Sequence, residues 1–285
     1  RGYADEAGEL ISCAITDLEN LGAIPDLCEA YIAMAKFKLH VSLPVEARFY
    51  LAEAETSINR INYDSARMQL HSAWGEFYEY EERNNEAEIS YQKALDSARK
   101  LTNLLEEGRS LHKLGSLARI KKDFVDAEVK FQEALRIFNE LKVPREALSL
   151  YYDIVSLYIA QEKYDLAEEV IVLLEQQSKL LGYYDLNIMA LVAWAECERK
   201  TGKLEKAKED YYRALRLARD YGERTCVKTN HLLISKVLDF LVESSSSGLA
   251  GIAAVPTLAS YKSKLQKKEY HSLLDGLSAL DVFKN

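Results

Sequence analysis

The chain has 285 residues, of which 48% are hydrophobic and 29% are charged, and its formal net charge is −8. This acidic balance argues against a general binder of nucleic acids or of anionic membranes, because both functions need an excess of basic residues. Glycine and proline, which break helices, occur only 12 and 4 times, so the composition favours an all-α chain. No apolar run reaches the roughly 18 residues of a transmembrane helix, so no membrane span is predicted.

The first predicted helix covers residues 5–20, and its pattern returns at a constant interval along the chain. An alanine stands at the same place in each copy: Ala7, Ala47, Ala87, Ala127, Ala167 and Ala207. A large apolar residue follows each alanine after 4 positions, and a residue that is small in five of the six copies follows after 7 positions. These offsets share one face of a helix. We therefore predict a small–large–small face that lets a second helix approach closely.

A second predicted helix precedes each of these helices from the second copy onward, and we name the two helix A and helix B. Helix A carries a large residue followed by a mostly small one, such as Trp74 before Gly75 and Leu114 before Gly115. Turn-forming segments such as KKDF, at residues 121–124, separate the two helices. Five full hairpins are predicted, at residues 26–60, 65–105, 106–141, 145–181 and 185–221.

A half repeat is predicted at each end of the solenoid, the stack of hairpins that residues 1–243 form. The first copy is a helix B alone and the chain begins with Arg1, so we expect a fragment of a longer protein. At the other end, residues 225–243 form a helix A without its partner. Residues 244–256, SSSSGLAGIAAVP, are a predicted Ser/Gly/Ala linker, and an amphipathic helix is predicted at 257–285.

The amphipathic helix at 257–285 is predicted to fold back as a cap, because the open end of a stack of repeats exposes apolar surface. Two alternatives stay open: the segment docks on a partner, or it is foreign to the chain and tethered by the linker. The spacing of its last apolar residues also fits a nuclear-export signal. These residues are Leu274, Leu277, Leu280 and Val282.

The third copy of the repeat has Leu111, Leu114, Gly115, Ala127, Phe131 and Ala134 at its repeating positions. This arrangement resembles the tetratricopeptide repeat, a helical hairpin with a large residue and Leu-Gly on helix A, and Ala, an aromatic residue and Ala on helix B. The 40-residue period is longer than the usual one of about 34. It is similar to variants in MalT-like regulators, Rap-type peptide sensors and LGN-type scaffolds. The resemblance covers about residues 1–240 and implies an all-α right-handed superhelical solenoid of antiparallel helix hairpins.

Catalytic motifs are not found in the sequence: it has no HEXXH, no Gly-rich phosphate loop and no CxxC pair. Its five histidines are scattered along the repeats. We therefore expect a protein that is not an enzyme and that needs neither a cofactor nor a metal ion. The four cysteines lie far apart, which favours reduced thiols and a cytoplasmic location.

The resemblance also implies a concave groove lined by helix A, where a peptide or helix of a partner protein would bind. The implied groove residues are Gln69, Ser72, Glu76, Arg109, His112, Ser116, Arg119, Tyr152, Ser156, Met189, Glu196 and Arg199. Arg109 and Arg119 are suited to pair with a carboxylate, and Tyr152 is suited to anchor an apolar side chain. The family's clamp for chaperone tails needs Lys and Asn where this chain has His112 and Ser116, which disfavours a chaperone cofactor.

The predicted function is a non-enzymatic scaffold for protein–protein interaction, with a protein or peptide partner and no direct contact with nucleic acid. The alternative is a regulatory module of a larger bacterial signalling or transcription regulator. Such a module would sense a peptide or a metabolite and change its superhelical pitch to shift an attached effector. An enzyme is the third possibility, and it would need a site that the sequence does not reveal.

Overall fold

The computed structural model describes residues 2–61, 63–221 and 227–246, together with Leu274 and Leu277. This part of the chain consists of α-helices joined by short turns and contains no β-strand, which confirms the all-α prediction. The helices are α1 (Gly2–Leu21), α2 (Ile24–His40), α3 (Pro44–Ile61), α4 (Asp64–Tyr80), α5 (Asn84–Lys100), α6 (Leu104–Ile120), α7 (Phe124–Glu140), α8 (Pro144–Ala160), α9 (Tyr164–Leu180), α10 (Tyr184–Lys200), α11 (Leu204–Tyr221) and α12 (Val227–Ser246). Within these residues, no helix combines the length and the apolar character of a membrane span.

The helices are evenly spaced along the sequence. From α2 to α11 they begin at a constant spacing, as at Asn84, Leu104 and Phe124, so two helices with their turns reproduce the period of the sequence pattern. Contacts divide the chain into two compact units, residues 1–147 and 148–285. Within the units α2 packs on α3, α4 on α5, α6 on α7 and α10 on α11. Even-numbered helices are the predicted helices A and odd-numbered ones the helices B, and their hairpins confirm a fold of the tetratricopeptide type.

The turn between α6 and α7 shows how a short segment joins two helices. Lys122 is left-handed, with φ 64°, and its N–H donates to the carbonyl of Arg119. The N–H of Asp123 donates to the carbonyl of Ala118 at 2.9 Å, which completes a Schellman motif and satisfies the last carbonyls of α6. The carboxylate of Asp123 then accepts from the N–H of Asp126 and caps α7. The same few residues therefore end one helix and start the next.

One residue in each described turn has a left-handed backbone conformation, and it stands at the same position relative to the helix that follows. These residues are Gly22, Ser42, Glu82, Thr102, Lys122, Lys142, Glu162, Gly182 and Gly202. Most of them are not glycine, although a left-handed conformation is unfavourable for a residue with a Cβ atom. The hydrogen bonds at the two helix ends therefore hold the turn geometry even where the residue type opposes it.

Helix A and helix B approach each other as closely as the sequence pattern predicts. A Cβ atom added to Gly115 on α6 would lie 2.6 Å from ring carbons of Phe131 on α7. One added to Gly75 on α4 would lie 2.4 Å from the ring of Tyr91 on α5. Carbon atoms pack at about 3.5–4.0 Å, so each ring needs a glycine opposite it. The alanines of the small–large–small face are buried as well: Ala47, Ala87, Ala127, Ala167 and Ala207.

We expect Gly115→Ala to lower the free energy of unfolding by about 1–3 kcal/mol, because the added methyl group must displace the Phe131 ring or push α6 away from α7. Urea unfolding followed by far-UV circular dichroism measures the change. In a Phe131→Leu background the clashing ring is gone, so the same substitution should cost less. Equal losses in the two backgrounds would show that this contact does not set the helix spacing.

The C-terminal end of the second unit differs in one detail from the predicted boundaries. Helix α12 extends to Ser246 and so runs into the predicted linker at 244–256. The rest of that linker, and residues 257–285 apart from two leucines, lie outside the described residues. The two leucines, Leu274 and Leu277, are helical and at most 1% exposed. They share one apolar cluster with residues of α10, α11 and α12.

Candidate binding surface on the A helices

The predicted binding residues lie on even-numbered helices, on α4 and α6 in the first unit and on α8 and α10 in the second. Within each unit, we define the A face as the side of these helices that carries the predicted residues. It includes Lys36 on α2 and Lys236 on α12, which stand one full repeat before Glu76 and one full repeat after Glu196. Residues 3, 4 or 7 positions apart share one side of a helix, which keeps the predicted residues of each helix together.

On α4 the A face is polar and partly exposed. Gln69 and Glu76 are half-buried, whereas Ser72 is only 9% exposed. A carboxylate oxygen of Glu76 lies 3.2 Å from Nζ of Lys36 on α2, and both side chains are at least 33% exposed. An exposed pair of this kind contributes about 0.2–1 kcal/mol. It therefore joins the two A helices weakly and remains able to exchange with charges of a partner.

Arg109 is the most exposed of the predicted residues on α6. Its Nη1 donates to Glu106 at 2.8 Å and its Nη2 donates to Glu146 at 2.6 Å. The side chain nevertheless remains 46% exposed. Arg109 thus makes within its own unit the carboxylate contact that was predicted for a partner, and a partner's carboxylate would have to share the guanidinium or replace one of these two.

The other predicted residues of α6 lie deeper. The His112 ring is half-buried and packs edge-on against Phe131, with 6.0 Å between the ring centroids. Ser116 is 8% exposed, and its hydroxyl donates to the carbonyl of His112. Arg119 is half-buried. The small side chain of Ser116 therefore offers little contact surface, whereas His112 and Arg119 keep part of theirs at the A face.

Glu79 joins three helices of the first unit. Its Oε2 accepts from the Tyr91 hydroxyl on α5 at 2.6 Å and from Nζ of Lys113 on α6 at 2.7 Å. Burial, together with the charge of Glu79, raises the pKa of Tyr91 well above its usual value, so the hydroxyl stays protonated and donates. The contact fixes α4 against both its own helix B and the next helix A.

Glu196 is the centre of a buried ion cluster in the second unit. It is 9% exposed and accepts hydrogen bonds from Arg199 at 3.0 Å, from Lys236 on α12 at 3.1 Å and from the Tyr211 hydroxyl. Arg199 also donates to Glu243 on α12. The polar ends of Glu196 and Arg199 are thus engaged between α10, α11 and α12. Their charges are directed at neighbours within the unit.

The ion cluster controls the protonation of Glu196. Burial alone would raise the pKa of Glu196, but the hydrogen bonds from Arg199 and Tyr211, together with the charge of Lys236, lower it below its usual value. The ionised form is therefore stabilised by folding. A carboxyl group whose pKa is lower in the folded than in the unfolded chain adds stability above its unfolded pKa, and this stability is lost as the pH falls through the folded pKa.

We expect Glu196→Gln to lower the free energy of unfolding at neutral pH by about 2–3 kcal/mol, because Lys236 loses its counter-charge and Arg199 keeps only Glu243. The difference from the parent chain should shrink as the pH falls below about 4.5, where the unfolded carboxyl becomes protonated. Urea unfolding at a series of pH values measures both effects. Glu205→Gln is the control, because Glu205 is 70% exposed and pairs with Lys208 at the surface. A constant difference at all pH values would contradict the assignment.

Two predicted residues of the second unit border its apolar clusters, and a third, Ser156, bonds to one of them. Tyr152 and Met189 are half-buried and pack against the same cluster, which includes Leu174. The Ser156 hydroxyl donates to the carbonyl of Tyr152 at 3.0 Å. Tyr152 and Met189 therefore offer partly exposed apolar surface on the A face. Within the described residues, no three His, Cys, Asp or Glu side chains are grouped as a possible metal site.

Several charged residues of the A face were not among the predicted ones. Lys36, Lys113 and Lys236 each form an ion pair with a glutamate of a neighbouring A helix. Two of these pairs have a signal in the sequence, because Lys36 and Glu76, like Glu196 and Lys236, carry opposite charges at the same place in successive repeats. Adjacent repeats place such residues side by side. Lys113 and Glu79 occupy different repeat positions, so the period does not reveal that pair.

Family profiles described as tetratricopeptide repeat match residues 64–140 and residues 191–221. The first match spans α4 to α7, and the second spans the end of α10 and all of α11. Residues 64–140 and 191–221 are therefore tetratricopeptide repeats, and the helices from α2 to α11 share their 40-residue period. Comparison with curated protein sequences finds no match.

Solved structures share this fold. BtubC from P. vanneervenii has a TM-score of 0.59 and 16% identity, with 75% of this chain and 90% of that chain covered. Aspartyl phosphate phosphatase F from Bacillus subtilis has a TM-score of 0.62 and 16% identity, covering 90% and 61%. A signal-transduction ATPase from Pyrococcus horikoshii, described as having a tetratricopeptide repeat sensor, has a TM-score of 0.57 and 20% identity, covering 90% and 38%. At these identities, the similarity shows a common fold of repeated helical hairpins.

Proposed function

We propose that the chain is a non-enzymatic scaffold that binds a peptide or a helix of a partner protein on its A face. The observation that carries this proposal is the series of ion pairs that joins one A helix to the next. In the first unit, the Lys113–Glu79 and Arg109–Glu146 pairs join successive A helices, and the weaker Lys36–Glu76 pair is able to exchange with charges of a partner. A surface held in this way loses little freedom on binding, which lowers the entropy cost on the receptor side.

The charges of the first unit indicate the chemistry of the partner. Arg109 and Arg119 present guanidinium groups on α6, whereas Glu76 presents a carboxylate on α4. Guanidinium groups bind carboxylates through paired hydrogen bonds. We therefore expect a partner segment with an acidic residue over α6 and a basic or amide residue over α4.

We expect the double variant Arg109→Gln with Arg119→Gln to retain at least tenfold less partner than the parent chain, because a hydrogen bond to a charged group contributes about 1.5–3 kcal/mol. Both chains serve as baits in source extract, and quantitative mass spectrometry reads the bound fraction. The control is Arg48→Gln with Arg136→Gln, which removes the same charge from exposed positions on α3 and α7. Equal loss in both variants, or in neither, would contradict binding at the A face.

A second function is favoured by one comparison. The Pyrococcus horikoshii protein is described as having a tetratricopeptide repeat sensor, and its structure aligns with 90% of this chain. By analogy, the repeats would bind a short peptide or metabolite and belong to a larger regulator. The capture experiment separates the two functions if the bound fraction is also analysed for short peptides. Retention of a protein supports the scaffold, and retention of a peptide alone supports the sensor.

We further propose that the segment at 257–285 caps the second unit. Leu274 and Leu277 support this proposal, because they lie in one apolar cluster with Leu233 and Phe240 of α12. The end of a stack of repeats exposes apolar surface, and a segment that packs there would cover it.

Leu274→Ala with Leu277→Ala should lower the free energy of unfolding of the second unit by several kcal/mol, because a buried Leu→Ala substitution costs about 2–5 kcal/mol. Thermal unfolding followed by circular dichroism measures the loss. Leu21→Ala with Leu180→Ala is the matched control, because both of these leucines are 77% exposed. An unchanged transition in the first variant would show that the segment is not a cap.

A further inference from the structure

A surface pocket of about 510 Å³ lies in the second unit between α9, α10 and α11. This volume is within the range of about 300–1,000 Å³ that small-molecule sites occupy. Trp194 and Glu198 of α10 line it, together with Glu175 of α9 and with Asp210 and Arg213 of α11. The pocket therefore combines one aromatic wall with charged groups from three helices.

The pocket is separate from the A face. Trp194 and Glu198 are four positions apart and share one side of α10, whereas Glu196 is two positions from each of them. Two positions on an α-helix correspond to a rotation of about 200°. A ligand in the pocket would therefore leave the A face of α10 open to a partner protein, and its binding does not depend on the proposed scaffold function.

Most acidic groups of the pocket have partners. A Glu175 oxygen accepts from the indole N–H of Trp194 at 3.0 Å, and its other oxygen accepts from Lys179. Asp210 accepts from Arg213 at 2.5 Å. These contacts fix the Trp194 ring and neutralise the two carboxylates. Glu168 lies 3.5 Å from Nζ of Lys203, so Glu198 is the one carboxylate among those lining the pocket for which no such pair is found among the described residues.

Glu198 has a buried carboxylate oxygen without a partner. The residue is 8% exposed, and its Oε2 makes no hydrogen bond to any described residue. Burial, followed by the nearby charge of Asp210, raises the pKa of Glu198 to about 7. Leaving such a group unpaired in the folded chain is unfavourable, and pairing it with a cation removes the penalty.

The missing group is a donor for Glu198 rather than overall positive charge. The pocket is lined by four carboxylates and three basic side chains, and Lys179 beside it pairs with Glu175, yet Oε2 of Glu198 has no hydrogen-bond donor among the described residues. The face of Trp194 is suited to bind either a cation or the apolar body of a ligand. A ligand with a single ammonium group and an apolar body meets both requirements.

We propose that this pocket is a binding site for a small organic monocation, whose ammonium group donates to the Glu198 carboxylate and whose apolar body lies against Trp194. The ligand supplies a cationic hydrogen-bond donor for Glu198 near the end of α10. No other part of the described chain offers this combination of a cavity, an aromatic wall and a buried carboxylate oxygen without a partner.

The test uses 2-phenylethylammonium as the probe and 2-phenylethanol as its uncharged isostere. The sequence has two tryptophans, so in a Trp74→Phe chain the fluorescence reports on Trp194 alone. Isothermal titration calorimetry on the unmodified chain gives the affinity independently of that substitution. We expect the ammonium compound to bind and to change the fluorescence, and the alcohol to bind at least tenfold more weakly.

Two variants test the role of Glu198. Glu198→Gln should weaken binding of the ammonium probe at least tenfold while the thermal transition stays the same or rises, because an unpaired buried charge is removed. Lys206→Met should strengthen binding, since Lys206 is an exposed cation of the pocket whose charge acts on Glu198 and competes with the ligand. Equal binding by the parent and Glu198→Gln chains, or no binding of the probe to the parent chain, would overturn the proposal.

The pH dependence gives an additional check. The groups that face Glu198 are Asp210 and Lys206 of α11, Lys203 of the preceding turn and Glu168 of α9. The ammonium group binds the ionised carboxylate, so affinity should fall as the pH drops through the Glu198 pKa of about 7. From about pH 8 to about pH 6 the ionised fraction, and with it the affinity, decreases about tenfold. Unchanged affinity over this range would exclude Glu198 as the anionic partner.

Discussion

The close approach of a helix B side chain to the backbone of helix A is the contact on which the rest of this structure depends. Phe131 and Tyr91 occupy space that a Cβ atom on Gly115 or Gly75 would need. Tight packing at this point fixes the distance between the two helices, and the short turn fixes their rotation. With both set, neighbouring A helices lie close enough to pair Lys36 with Glu76 and Glu79 with Lys113 on the A face.

The repeat architecture is readable in the sequence because the features that form it are local. Small, large and small residues at offsets of 0, 4 and 7 define a helix face without knowledge of any distant residue. The predicted helix ends follow from the period for the same reason. The positions of Ser72 and Ser116 are less readable: both were predicted to line the binding surface, yet each is at most 9% exposed. A small side chain at a helix crossing is covered by larger neighbours, which a pattern of positions does not show.

The repeat pattern alone predicts some ion pairs but not others. Opposite charges at equal repeat positions, as at Glu196 and Lys236, indicate neighbours on adjacent A helices. The links from Glu196 to Tyr211 and from Arg199 to Glu243 depend on how side chains extend across helices. Glu198 illustrates the same limit: its sequence neighbours resemble those of a solvated helix, and its burial results from the spacing of α9 and α11. Such environments are properties of the packed structure rather than of a segment.

The uniform turns also determine how a chain of this kind can change in length. Each described turn from α2 to α11 has a residue in the left-handed conformation at the same position, as at Lys122 and Lys142. Inserting one residue there would rotate the next helix by about 100° about its axis and turn its apolar side outward. Duplicating a single helix with its turn would place a helix B where a helix A belongs. Only duplication of a whole hairpin keeps every contact between helices. The packing therefore allows the chain to lengthen in complete hairpins.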